Sequence, residues 1–210
     1  MPRTRRPEGP TPDRPSAELL LRAYARGIFP MVDERRDRID WHFPDPRGVL
    51  PLDSFTVPHG LAKSLRRQPF SIRIDSAVPA VMAACAGRRS RDNPSWMNDA
   101  LMAAYVQLHE MGHVHSVEAW LGDALVGGLY GVRLRGAFFG ESMFVRPDLG
   151  GTDASKICLV HLVERLRSGG FTLLDTQVVT DHMRQFGTIE IPAATYLAQL
   201  ETAMAREGRW

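Results

Sequence analysis

Three consecutive stretches decide the fold of this chain: "HVHSVEAWL" at residues 113–121, "ALVGGLYGVRL" at 124–134 and "GAFFGESMF" at 136–144. Each is rich in apolar, aromatic or β-branched residues, and a short polar or glycine-containing connection separates it from the next. The series predicts three strands in a meander. A long helix is expected to follow at about 152–167, and the apolar stretch "FTLLD" at 171–175 predicts a further strand.

Additional elements are predicted on both sides of this series. Downstream, the sequence predicts a short helix from Thr180, a short strand at 188–191 and a last helix from about Ala193. Upstream, "SAELLLRAYARG" predicts a helix that Ser16 caps and Gly27 ends. The proline-rich stretch that follows predicts loops and short edge strands. Strands, helix, strand and helix in this order indicate an α+β fold.

The domain organisation that we expect has three parts. Residues 1–15 are charged and proline-rich and form a disordered leader, without the apolar segment of a secretory signal. Residues 16–75 form a small N-terminal α/β lobe. Residues 76–210 form the catalytic domain, a mixed sheet with flanking helices.

Composition limits the classes of function. A chain of 210 residues with a net charge of +2 is not basic enough to indicate nucleic-acid binding by charge alone, so such binding requires a local patch. No apolar run reaches the length needed to span a membrane. Cys85 and Cys158 lie in apolar helical contexts, which is typical of core packing in a reducing compartment. We therefore expect a soluble, cytoplasmic protein.

The stretch "HEMGH" at 109–113 matches the H-E-x-x-H pattern of zinc proteases. That pattern requires two histidines on one face of a helix. Gly112 stands inside it where the helix is expected to end, so we predict no metal site and expect the histidines to interact with the last carbonyls of the helix.

A second motif, "RPDLGGTDASK" at 146–156, leads into the long helix. Its backbone N–H groups could hold a phosphate, as the pyrophosphate loop of acetyl-CoA-dependent N-acetyltransferases does. The same residues are also ordinary helix-capping residues, which need no ligand.

Polar side chains interrupt the apolar strands at four positions: Glu118, Glu141, Asp175 and Gln177. Because strand side chains alternate, Asp175 and Gln177 are expected on one face. A charge in a buried strand is costly unless it is paired or functional. One explanation is a buried ion pair, with Lys156 or Arg184 as the partner; the other, which the set favours, is a reaction site.

Several motifs together resemble the leucyl/phenylalanyl-tRNA–protein transferases. In order, they are "YARGIFPM", "WHFPDPRGVLPLDSF", "HEMGHVHSVEAWLGDALVGGLYGV", "FFGESMF", "DASK" and "LLDTQVVTDHMRQFG". The resemblance runs from about Ala23 to Tyr196. It implies a C-terminal domain with the acyltransferase (GNAT) fold. It also implies transfer of Leu or Phe from tRNA to an N-terminal Arg or Lys, which marks the protein for N-end-rule degradation, with no metal and no cofactor.

The chemistry of this reaction indicates roles at the strand ends, and the resemblance adds a proton relay through Asp175 and Gln177 as an alternative. An aminoacyl ester is already activated, and an α-amine has a pKa of about 7.7–8.0, so positioning can supply most of the rate. We expect Gln177 to accept a hydrogen bond from the amine, with Asp175 polarising it and stabilising positive charge. Glu141 is the candidate for holding an ammonium or guanidinium group.

The remaining predicted contacts are with the donor aminoacyl-tRNA. The resemblance implies an apolar pocket for the donor side chain, lined by Leu129, Phe138, Leu159, Leu162, Leu166 and Leu174. All six also fit an ordinary core. Stacking partners for the terminal adenosine are Trp96, Tyr24 and Trp41, with Met31 where many members have Trp.

The stretch "GLAKSLRR" predicts a short helix with a basic patch. Lys63, Arg66 and Arg67 fall on neighbouring helix positions and are expected to contact tRNA phosphates. A solvated helix face is the alternative for this patch alone. For the whole chain, the alternatives are an acetyl-CoA-dependent N-acetyltransferase and a binding module that kept the fold without turnover.

Overall fold

Helices and strands lie close to where the sequence predicts them. The computed structural model describes residues 14–33, 38–67, 69–87 and 97–210. In these ranges the helices are α1 (Ala17–Tyr24), α2 (His59–Arg67), α3 (Val78–Ala86), α4 (Asp99–Glu110), α5 (Ala154–Ser168), α6 (Asp181–Arg184) and α7 (Ala193–Met204), with a 3₁₀ turn at Pro147–Leu149. The strands are β1 (Phe29–Asp33), β2 (Arg38–His42), β3 (Arg47–Val49), β4 (Ser71–Ile74), β5 (Val114–Leu121), β6 (Ala124–Leu134), β7 (Ala137–Val145), β8 (Leu173–Gln177) and β9 (Ile189–Ile191).

Local signals account for the helix ends. The Ser16 hydroxyl accepts a hydrogen bond from the Leu19 N–H at the start of α1, and Asn98 does the same for the Leu101 N–H at the start of α4. Beyond α4, Gly112 takes a positive φ of 78°. Among the described residues, no helix is long and apolar enough to cross a membrane.

The main sheet has seven strands in the order β4-β5-β6-β7-β8-β3-β9. Strands β5, β6 and β7 form the predicted antiparallel meander. Strand β8 returns parallel to β7, and α5 makes the crossover between them. The predicted α+β class, with a large mixed sheet flanked by helices, is confirmed.

Helices cover both faces of this sheet. Alternation along β7 turns Phe138 and Phe139 to opposite faces, and both are fully buried. Phe139 packs in an apolar cluster with α1, α3, α4 and α7, whereas Phe138 packs in a second cluster with α2 and α5. Cys85 and Cys158 are buried, one in each cluster, and carry free thiols.

Two strands from residues 16–75, the predicted N-terminal lobe, belong to the main sheet. β3 pairs with β8 and β9, and β4 pairs with β5. Only β1 and β2 form a separate two-stranded sheet among the described residues. The division at residue 75 stays a prediction, as does the leader, of which residues 1–13 lie outside the described residues.

Candidate active site

Two polar residues, Glu141 and Gln177, lie on neighbouring strands just past the point where the pairing of those strands ends. The parallel pairing of β7 with β8 runs from Ala137 with Leu173 to Phe139 with Asp175. Both strands continue beyond these pairs, β7 as far as Val145 and β8 as far as Gln177. We call the unpaired strand ends that carry Glu141 and Gln177 the opening.

A β-bulge sets the position of Glu141. On the β6 side, Tyr130 pairs with Ser142 and Gly131 pairs with Gly140, so Glu141 is the extra residue between two paired positions of β7. A bulge bends its strand and redirects a side chain, and bulges are frequent beside active sites. The bulge therefore lies just beyond the last pair of β7 with β8.

Glu141 lies in a cluster of tyrosines. Its carboxyl oxygens lie within hydrogen-bond distance of the hydroxyls of Tyr24 (2.7 Å) and Tyr105 (3.2 Å), and the two hydroxyl oxygens are also in hydrogen-bond contact with each other. The residue keeps a partial exposure to solvent. Desolvation by the dense surroundings raises the pKa of Glu141 from 4.5 to about 7; the nearby Asp175 carboxylate also raises it, and the tyrosine hydroxyls and Arg47 lower it. This carboxyl group can therefore gain or lose a proton near neutral pH.

Asp175 is fully buried in a salt bridge with Arg47, which is also fully buried. The guanidinium donates from Nε to Oδ1 (3.0 Å) and from Nη2 to Oδ2 (2.6 Å), a two-point contact. Two further donors complete the set: the Tyr196 hydroxyl to Oδ2 (2.7 Å) and the Gln177 backbone N–H to Oδ1 (2.8 Å). Each oxygen of Asp175 thus has two donors within the protein.

Gln177 departs from regular strand geometry. Its φ is 59°, in the left-handed region that a residue other than glycine seldom adopts. The side chain is 9% exposed, and its Nε2 is buried without a hydrogen-bond partner among the described residues. The neighbouring Thr176 hydroxyl is also buried and unpartnered among them. A strained backbone and an unsatisfied buried donor both cost stability, and such features occur mainly at functional sites.

The ion-pair partner of Asp175 is neither of the two that the sequence suggested. Lys156 and Arg184, the partners considered for a buried ion pair, contact Asp153 and Asp181 instead. The role of Asp175 beside Gln177 stays a prediction, and protein donors occupy both of its oxygens. We missed Arg47 because its stretch, "PDPRG", has the composition of a surface loop.

Glu118 is a structural residue. Its carboxylate accepts hydrogen bonds from the Ser76 hydroxyl, the Ala77 N–H (2.7 Å), the Ser116 hydroxyl (2.7 Å) and the Trp120 indole N–H (3.0 Å). These donors satisfy a buried charge at the start of α3. Glu118 is therefore not part of the opening.

The histidines of "HEMGH" bind separate backbone carbonyls. His109 Nδ1 is 2.9 Å from the Val114 carbonyl oxygen, and His113 Nδ1 is 3.0 Å from that of Arg133. These contacts turn the two rings to different parts of the backbone. Among the described residues, no group of three or more His, Cys, Asp or Glu could hold a metal ion.

The glycine-containing turn before α5 is filled by protein groups. Asp153 stands at the helix start and accepts hydrogen bonds from the Ser64 hydroxyl (3.0 Å) and from Lys156 Nζ (3.0 Å). A Cβ on Gly151 would lie 2.3 Å from the Val126 carbonyl oxygen, so close packing accounts for this glycine. A carboxylate at the helix start repels a pyrophosphate, which weighs against the acetyl-CoA alternative.

The six residues predicted for the donor pocket come together in one layer. All are buried, with at most 3% exposure, and belong to the apolar cluster between the sheet and α5: Leu129, Phe138, Leu159, Leu162, Leu166 and Leu174. A cavity of about 550 Å³ lies elsewhere on α5, between α2 and β4, where Leu65, Phe70 and Val160 are among its lining. The role of the six as a pocket stays a prediction.

The predicted stacking residues differ in their accessibility. Met31 and Trp41 lie on the β1–β2 hairpin and are 40% and 36% exposed. Tyr24 is wrong as a stacking surface in this structure, because its ring is fully buried 4.9 Å from that of Phe139. Trp96 lies outside the described residues.

Helix α2 presents the predicted basic patch. Lys63, Arg66 and Arg67 are all exposed on it. The Ser64 hydroxyl anchors this helix to Asp153 at the start of α5. The basic patch thus lies on a helix that is bound to α5, the helix that covers the predicted donor pocket.

The fold and the opening together define an α+β protein whose mixed sheet carries a polar site where the pairing of two parallel strands ends. The chain belongs to the leucyl/phenylalanyl-tRNA–protein transferase family. Residues 49–201 match the profile described as "Leucyl/phenylalanyl-tRNA protein transferase", and residues 13–45 match that of its N-terminal domain.

Curated relatives agree with this assignment. A leucyl/phenylalanyl-tRNA–protein transferase of Paramagnetospirillum magneticum (strain ATCC 700264 / AMB-1) is 53% identical over 197 residues, which cover 93% of this chain and 91% of the relative. One from Phenylobacterium zucineum (strain HLK1) is 53% identical over 190 residues, covering 90% and 84%. Among solved structures, AAC(6')-Iy in complex with a bisubstrate analogue is similar at 14% identity and a TM-score of 0.37, covering 66% of this chain and 90% of that one. So low a score supports no argument about function.

Proposed function

We propose that this chain transfers leucine or phenylalanine from aminoacyl-tRNA to the N-terminal Arg or Lys of a protein in the cytoplasm. The product would enter N-end-rule degradation. One observation carries the proposal for the site: in a chain of this family, Glu141 and Gln177 follow the last pair of β7 with β8, and the buried amide nitrogen of Gln177 has no hydrogen-bond partner among the described residues. An unsatisfied donor beside an opening is a place for a substrate oxygen.

The reaction requires little chemical activation. The neutral α-amine of the acceptor attacks the ester carbonyl carbon of the aminoacyl-tRNA and forms the C–N bond. The C–O bond to the terminal ribose then breaks, the ribose oxygen gains a proton, and the nitrogen loses one. Because the ester is already activated, orientation of the amine and removal of its proton are the main tasks of the protein.

Gln177 orients the reacting groups. An amide is a poor base, so its oxygen accepts a hydrogen bond from the attacking amine, and its unpartnered Nε2 donates to the oxygen on which negative charge develops. The loss of one such donor in other enzymes costs about 10²–10³ in kcat. Gln177 is in this proposal the residue that contacts the tetrahedral intermediate.

Glu141 serves the acceptor amine. Its carboxylate attracts the α-ammonium group and takes a proton from it, which leaves the neutral amine that attacks. The pKa of about 7 suits this step, because the α-ammonium has a pKa of about 7.7–8.0. The tyrosine hydroxyls of Tyr24 and Tyr105 hold the carboxylate in place.

Binding of the aminoacyl-tRNA extends over the surfaces beside the opening. The apolar layer under α5 would receive the Leu or Phe side chain, and Leu174 links that layer to β8. Met31 and Trp41 offer exposed apolar surface on the hairpin for the terminal base. The exposed cations of α2 would contact phosphates.

A transfer assay tests the reaction. Radiolabelled leucyl-tRNA or phenylalanyl-tRNA is mixed with peptides that begin with Arg, Lys or Ala. We expect label on the Arg and Lys peptides, a fall of about 10²-fold for Gln177→Ala, and no change for Gln185→Ala, a matched control on the exposed surface of the chain. Label from acetyl-CoA in place of aminoacyl-tRNA would identify the acetyltransferase alternative. Binding without transfer would identify the binding module.

Salt dependence tests the α2 patch. The logarithm of the tRNA association constant falls with the logarithm of salt concentration, by about 0.7–0.9 for each phosphate contact. Arg66→Ala with Arg67→Ala should therefore weaken binding and reduce this slope by about 1.4–1.8. Arg206→Ala with Arg209→Ala removes the same charge from another exposed site and should leave the slope unchanged. Equal slopes for the two double variants would refute the assignment.

A further inference from the structure

Arg47 is a buried cation at the end of the main sheet away from β5 and β6. It is fully buried in β3, between β8 and β9. Besides its two bonds to Asp175, Nη1 donates to the Gly27 carbonyl (2.8 Å) and Nη2 to the Tyr196 hydroxyl (3.3 Å). The guanidinium also lies 4.4 Å from the centre of the Tyr196 ring. These contacts with Asp175, Gly27 and Tyr196 hold the guanidinium in one orientation.

Asp175 cannot reach a substrate while these contacts persist. Oδ1 accepts from Arg47 and from the Gln177 backbone, and Oδ2 accepts from Arg47 and Tyr196. Asp175 therefore acts on the reaction without touching the substrate: its charge raises the pKa of Glu141, and its Oδ1 holds a neighbour at the opening. The neighbour at the opening is Gln177, whose backbone N–H is bound to Oδ1 at 2.8 Å.

The backbone bond to Asp175 holds Gln177 in its unusual conformation. With φ at 59°, the residue leaves the strand, and the Val178 N–H donates to the Thr176 carbonyl (2.7 Å) in a tight turn. Gly48, next to Arg47, leaves room for this turn, because a Cβ there would be 2.7 Å from the Val178 carbonyl carbon. The dipeptide Arg47–Gly48 thus contacts both the carboxylate and the turn that determine where the Gln177 amide points.

We propose that Arg47 is a positioning residue: with Tyr196 it fixes the Asp175 carboxylate, and through it the Gln177 backbone, so that the Gln177 amide faces the reacting ester. This inference rests on the proposed function. A positioning role for Arg47 and a purely structural ion pair predict different results. An ion pair that only stabilises the fold affects the unfolding transition, whereas a positioning device affects kcat in the folded enzyme.

Two variants separate these possibilities. Arg47→Lys keeps the charge but cannot form the two-point contact with Asp175. Tyr196→Phe removes one donor to Asp175 and keeps the ring over the guanidinium, so it serves if Arg47→Lys fails to fold. Arg133→Lys is the control, since Arg133 binds the Gly208 carbonyl from another part of the sheet. Each is assayed with leucyl-tRNA and an Arg-initiated peptide at a temperature where circular dichroism shows a folded protein.

We expect Arg47→Lys to lower kcat by about 10²-fold, the cost of a misplacement near 1 Å, with KM for leucyl-tRNA within about twofold of wild type. Tyr196→Phe should lower kcat by about tenfold, the effect of one hydrogen bond to a charged group. The double variant should lose less than the product of the two, because both act on one carboxylate.

The outcomes are distinct. Lower melting temperatures with unchanged kcat for both variants would overturn the inference and leave a structural ion pair. A fall in kcat for Arg133→Lys as large as that for Arg47→Lys would also overturn it, because the effect would not be specific to β3. If wild type transfers no amino acid from any aminoacyl-tRNA, the proposed function fails, and this inference fails with it.

Discussion

Replacement of Glu141 by glutamine should stabilise the protein relative to wild type, and this gain should be larger at neutral and alkaline pH than at acidic pH. Glutamine has nearly the shape of the protonated side chain and can still accept a hydrogen bond from the Tyr24 hydroxyl. It cannot ionise. The variant therefore isolates the free energy that the protein spends on ionising this carboxyl group in its dense surroundings.

The magnitude follows from the pKa. In the folded protein, the pKa of Glu141 is about 7, against an ordinary value of 4.5. The folded state thus binds the proton more tightly than the unfolded state does, and the free energy of unfolding falls as pH rises between these two values. The difference between the two pKa values corresponds to a loss of about 3 kcal/mol in the free energy of unfolding of wild type. This loss is absent below pH 4.5 and complete above pH 7.

The assay is urea-induced unfolding at a series of pH values from 5 to 8, on wild type and Glu141→Gln. The difference between the two proteins in the free energy of unfolding should rise by about 2.5 kcal/mol over this range in favour of the variant, because part of the change lies below pH 5. Groups that titrate in both proteins cancel in the difference. Glu201→Gln, on the exposed face of α7, is the control that removes a carboxyl group far from the dense surroundings of Glu141.

Parallel stability curves for wild type and Glu141→Gln would refute the reasoning. They would mean that Glu141 ionises in the folded protein as it does in the unfolded chain. The role of Glu141 as a proton acceptor tuned to neutral pH would then have no support.

Three further substitutions test neighbouring parts of the structure. Tyr24→Phe removes a hydroxyl that lowers the pKa of Glu141. The fall in the free energy of unfolding with pH should therefore extend to higher pH in this variant than in wild type, and an unchanged pH range would contradict this. Trp210→Phe removes an indole N–H that donates to Asp75 (2.7 Å), and urea unfolding should show a loss of about 1–2 kcal/mol. An equal loss in an Asp75→Ala background, which has no acceptor, would contradict this. Gly48→Ala inserts a methyl group against the turn after β8, so transfer kinetics should show a lower kcat, and wild-type kinetics would count against the turn as a positioning element.

The meander and the helix after it could be predicted from the sequence because their signals are local. Periodicity, turn residues and caps act within one element, and they placed β5, β6, β7, α5 and β8 close to their positions in the structure. Glu141 and Asp175 also stood out locally, as carboxylates within apolar stretches. The family motifs added the expected reaction.

Tertiary structure alone decided what those carboxylates do. Arg47 is 128 residues from Asp175 in the chain, and Tyr24 is 117 residues from Glu141, so no pattern within one element joins them. Hydrogen bonds between distant segments saturate Asp175 and leave Glu141 able to titrate near neutral pH. A charge in an apolar stretch predicts that some partner exists. Which partner it is depends on the packing of remote segments, because burial and pairing are properties of the assembled core.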